Sequence, residues 1–117
     1  MTFETPQHPK ALWETATNQN LYSKLVVQIT KDFNLANEAL DCKPDIAPED
    51  LQHVLHEKIY QLIAHKFGSY LNLLYIIDVP ENQIKALDGS DLVVLANQVC
   101  FLILKREWMK VWYKAHY

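Results

Sequence analysis

The sequence predicts an all-α fold, an antiparallel up-and-down bundle of three long helices and one short helix. Three observations carry this. The chain of 117 residues holds only 2 glycines and 5 prolines, and the prolines fall at segment edges. Apolar residues recur at intervals of three and four over long stretches, the period of an amphipathic helix. No run shows the strict alternation, bounded by frequent turn residues, that a multi-stranded sheet requires.

The elements follow in chain order. Residues 1–18 carry Pro6, Pro9 and only Phe3, Leu12 and Trp13 as apolar anchors, so they read as an irregular arm with one short helical turn after Pro9. The remaining residues, 19–117, read as the helical domain. Its first helix extends from about residue 18 or 20 to Leu40, with Tyr22, Leu25, Ile29, Phe33, Ala36 and Leu40 forming one stripe. Lys43, Pro44 and Asp45 then mark a loop.

The second helix has a strong start, with Pro48 in its first turn and Glu49 and Asp50 matching the helix dipole. Leu51, Leu55, Ile59 and Leu62 begin a stripe that Tyr70, Leu73, Leu74 and Ile77 continue to about Asp78. Gly68-Ser69 is the expected kink, because glycine in a helix interior costs roughly 1 kcal/mol relative to alanine. A short helix spans 80–87 and stops at Asp88-Gly89. Ser90 or Asp91 caps a final helix to Tyr117, apolar on nearly every side over 92–104 and amphipathic beyond, with Trp108, Val111 and Trp112 on the buried side.

Composition excludes several function classes. Half the residues are apolar, too many for a disordered chain. The net charge of −3 argues against a nucleic-acid partner. The apolar run of about 13 residues falls short of the roughly 20 a membrane-spanning helix needs, and no secretory signal opens the chain. A cytoplasmic protein with no membrane or nucleic-acid partner is expected. Cys42 and Cys100 lack motif spacing, which suggests reduced thiols.

No catalytic residue or cofactor is expected. The serines Ser23, Ser69 and Ser90 sit in no nucleophile elbow, and two glycines cannot make a phosphate loop. Asp50, His53, His56 and Glu57 have spacings that metal-binding helices use. At about 100° per residue, however, Asp50, His53 and Glu57 lie opposite the Leu51–Leu55–Ile59 stripe and face solvent. The run from Lys105 to Lys114 mixes basic and aromatic residues. Its aromatics continue the core stripe, and its charges would complement Asp45, Glu49, Asp50 and Glu57 if helices two and four are antiparallel.

That same topology carries the functional expectation. It places residues 70–77 and 92–104, both apolar on almost all sides, at one end of the bundle, where something must shield them. The chain itself, a second copy or a lipophilic ligand are the available covers. The leading expectation is an interaction or oligomerisation module, a homodimer or the subunit of an unknown protein partner. Leu71, Leu74, Tyr75, Val93, Val94 and Phe101 are its interface candidates. The alternative is a bundle, with or without enzymatic activity, that binds a metal through Asp50, His53, His56 and Glu57 or a small molecule between helices.

Overall fold

The computed structural model describes residues 2–117 and bears out the all-α class. Among the described residues there are six helices: α1 Pro9–Asn18, α2 Tyr22–Leu35, α3 Pro48–His65, α4 Phe67–Ile77, α5 Glu81–Lys85 and α6 Leu92–His116. One continuous core joins them all except α5, whose Ile84 packs at its edge. Trp108 of α6 is fully buried, in the same core as Leu12, Phe33, Ile59, Leu73 and Ile103.

The expected irregular arm is largely helical, and its Met1 lies outside the described residues. Pro9 takes the first helical position, where its missing N–H is no loss, and His8 Nδ1 accepts from the Ala11 amide as a cap. Leu12, Trp13 and Ala16 make a buried side too narrow to register as a stripe. Trp13 Nε1 donates to Gln52 Oε1 of α3, and Phe3 packs edge-on against Trp112, so this segment belongs to the domain.

The first long helix is shorter than expected at both ends, for one reason. Asn20 and Asn37 take the left-handed conformation, with φ of 56° and 58°. Each lets the next amide reach back five residues, Leu21 N to Ala16 O at 2.9 Å and Glu38 N to Phe33 O at 2.9 Å. Asp78, at φ 70°, closes α4 in the same way through Val79 N to Leu74 O. These are helix-terminating motifs with asparagine or aspartate in the position glycine usually fills. A chain with two glycines therefore turns on its Asx residues, a signal that glycine-and-proline punctuation misses.

The expected second helix is two helices. The break falls at Lys66, with φ −141° and ψ 61°, and not at Gly68-Ser69, which lies inside the first turn of α4. Lys66 is no helix breaker, so tertiary contacts set the break: Lys66 Nζ donates to both Glu38 carboxylate oxygens at 2.8 and 3.0 Å. The short helix is trimmed to Glu81–Lys85.

Contacts give the relative directions. Lys114 reaches Gln28 and Lys110 reaches Asp32, so α6 runs opposite to α2. Tyr70 lies by Cys100 while Asp78 pairs with Arg106, so α4 and α6 advance together. The two strongly apolar segments lie alongside each other over part of their length. The start of α6 instead meets the middle of α3, where His56 Nε2 stands 3.4 Å from the Val93 carbonyl. The single apolar end inferred from one unbroken second helix is therefore not formed.

Candidate functional site

Charged residues converge most closely in the core, between α2 and α6. Glu107 is 0% exposed, and Asp32 is buried beside it. Lys110 Nζ stands 2.8 Å from Asp32 Oδ2 and 3.0 Å from Glu107 Oε1, and Gln28 Nε2 donates to Asp32 at 3.2 Å. Neither Glu107 oxygen has an aligned hydrogen-bond donor. Burial pushes the Glu107 carboxyl up to about 9, the neighbouring Asp32 adds to the rise, and Lys110 opposes it. Burial by itself also raises Asp32, but hydrogen bonds from Glu107, Lys110 and Gln28 outweigh it and leave that carboxyl below its ordinary value.

The arrangement is two carboxyls holding one proton, with a lysine neutralising the remaining charge. As the neutral acid, Glu107 has a proton to give Asp32; as an anion it would bury an unsatisfied charge. Carboxyl pairs of this kind perform acid–base chemistry where substrate can reach them. Glu107 is sealed, so the trio is a polar element of the core. Glu107 lies four residues after Ile103 and four before Val111, squarely in the buried stripe, which is the signal that would have found it.

The metal candidates are not drawn together. His53 and Glu57 stand 3.7 Å apart on an exposed face, and His56 turns toward Tyr60 and the start of α6. Among the described residues no three His, Cys, Asp or Glu side chains are placed to hold a metal ion. Cys100 is buried and its thiol is pushed up to about 12 by desolvation, leaving almost no thiolate at neutral pH. The basic residues of α6 pair with Asp32 and Asp78 in place of the expected acidic stretch, because α2 and α4 are the elements that lie beside them.

The interface candidates divide. Leu74 is buried in the core, and Phe101 is half-buried with the Lys105 ammonium 4.9 Å above its ring. Leu71 and Tyr75 remain exposed on α4, while Val93 and Val94 are exposed at the start of α6. Asp78 sits by Arg106, about 20 Å along α6 from Val93, so these are two surfaces. Phe67, which lies just before the apolar run read at 70–77, completes the α4 surface. Phe67, Leu71 and Tyr75 form a row four residues apart, exposed by 55, 50 and 84%. Leu71 and Tyr75 also border a shallow groove of about 410 Å³ at the α4–α5 corner, with Val79 and Ile84 on its far side.

Among the described residues no helix is long and apolar enough to cross a membrane. Comparison with protein-family models, curated protein sequences and solved structures finds no match to this chain.

Proposed function

We propose that the protein is an interaction module that associates with a second copy of itself through the exposed face of α4. The observation that carries this is the row Phe67, Leu71 and Tyr75 on a helix whose eleven residues include no charged side chain. A two-fold interface brings each residue against its own kind or its symmetry mate. Charged surface meets like charge under that operation unless its pattern is self-complementary, whereas a neutral apolar row does not.

The spacing suits an antiparallel pair of α4 helices. With Leu71 on the two-fold axis, Phe67 of each copy meets Tyr75 of the other. The aromatic residues at both ends supply the large, low-entropy contact area that dominates association energetics. Val93 and Val94 stand apart from this axis and take no part in the proposed contact.

Light scattering over a micromolar concentration series tests the proposal. A mass of twice 13.7 kDa for the native chain, and of one chain for Leu71→Glu with unchanged circular dichroism, is the expected result. A native chain that stays at single-chain mass throughout the series refutes it.

A further inference from the structure

We infer that Lys66 is a swap hinge, through which two copies of this chain can exchange residues 67–117. The inference does not depend on the α4 face proposed above.

The local sequence favours a helix that the fold interrupts. Residues on both sides of Lys66 are helical, and the junction residues His65, Lys66 and Phe67 include no proline or glycine. Gly68, the nearest glycine, is no cause of the break: it does not take positive φ, and a Cβ built on it meets nothing within 4 Å. A single non-helical residue separates α3 from α4. What holds it there is tertiary: α4 packs against α2 and α6, and Lys66 grips Glu38, itself 5% exposed.

Straightening that residue would change the shape of the molecule. A continuous helix over 48–77 would be about 45 Å long at about 1.5 Å per residue. The whole molecule measures 38 Å along its longest axis. A straight α3–α4 would therefore project beyond the present molecule and draw α4 off α2, with α5 and α6 tethered to its far end. Trp108, Ile103 and Leu73 would leave the core they fill. A second opened copy can supply the same segment, restoring every core contact and changing only the hinge. A one-residue connection between two helices is the kind of link from which such exchange starts.

Two substitutions bias the hinge in opposite directions. Lys66→Ala removes the ion pair and inserts the strongest helix former at the break. Phe67→Pro places proline at the first position of α4, where it is tolerated in the bent form, but in the interior of the straight helix, where it is not. Each variant, with the native chain, is unfolded and refolded at high micromolar concentration, then sized by light scattering immediately and after dilution. Lys66→Ala is expected to yield a dimer fraction several-fold above the native chain. That dimer should persist long after dilution, because reversal requires unfolding, and should survive Leu71→Glu in the double variant. Phe67→Pro should yield none that survives dilution. A Lys66→Ala chain indistinguishable from native, or a dimer that Leu71→Glu abolishes, overturns the hinge. A failure of Leu71→Glu to alter the rapidly reversible association of the native chain bears on the α4 face alone.

Discussion

Replacing Glu107 with glutamine should stabilise this protein, and by more as the pH rises. In the unfolded chain the carboxyl ionises near its ordinary value of 4.5, whereas in the fold it stays protonated to about 9. A carboxyl whose folded value is raised contributes stability that is complete below the unfolded value. That stability is lost progressively as the pH rises toward the folded value. Each pH unit in that window costs about 1.4 kcal/mol, so holding Glu107 neutral at pH 7 costs about 3 kcal/mol. Glutamine has nearly the same shape, offers Asp32 an amide donor where the acid offers its proton, and takes up no proton on folding. Urea unfolding followed by circular dichroism at pH 5, 7 and 9 measures the difference. The variant should exceed the native chain by about 2–3 kcal/mol at pH 7, a rise of roughly 10 °C in Tm for a domain of this size. The gain should widen between pH 5 and 9 and fade toward pH 4. A variant destabilised by the same amount at every pH would refute the reasoning, because it would mean that Glu107 is an anion held by Lys110.

Other outcomes follow from the same contacts. Asp32 has the opposite sign to Glu107: its lowered value gives stability present above the ordinary carboxylate range and lost as the pH falls through the folded value. Asp32→Asn should therefore weaken the acid-side dependence in the same urea titrations. Asn37→Ala should cost about 1 kcal/mol by forcing a Cβ residue without a compensating side chain into the left-handed region, and Asn37→Gly should restore the loss. Trp108→Ala should cost about 3–5 kcal/mol, since the largest fully buried side chain leaves a cavity that five helices cannot close. Cys100 should resist alkylation in the native state and react only on unfolding, whereas the partly buried Cys42 should react first.

Much of the architecture was legible in the residues. The start at Pro48, the stripe through Leu51, Leu55 and Ile59, and the cap at Asp91 with a long helix behind it are local patterns. Local patterns survive into the fold when the buried face they mark is wide. Leu12, Trp13 and Ala16 mark a narrow one, and α1 was underestimated for that reason. The start near Asn20 was placed within a few residues, whereas the end at Asn37 was missed because asparagine can sit inside a helix as well as close one, and the backbone shows which it does. Of the interface candidates, Leu71 and Tyr75 lie at the surface and Leu74 does not. A segment apolar on all sides carries no label for which side the core will take.

By itself the sequence determined the helical class, the phase of the stripes in α2 and α3 and the absence of local signals for a sheet. These depend on periodicity within a few turns, which backbone geometry converts directly into a face. The tertiary structure alone decided the bend at Lys66, the direction of α4 beside α6 and the meeting of Asp32, Glu107 and Lys110. Each of these joins residues distant in the chain, Lys66 with Glu38, Asp78 with Arg106 and Asp32 with Lys110. Their energies come from burial and charge at separations that no local window contains.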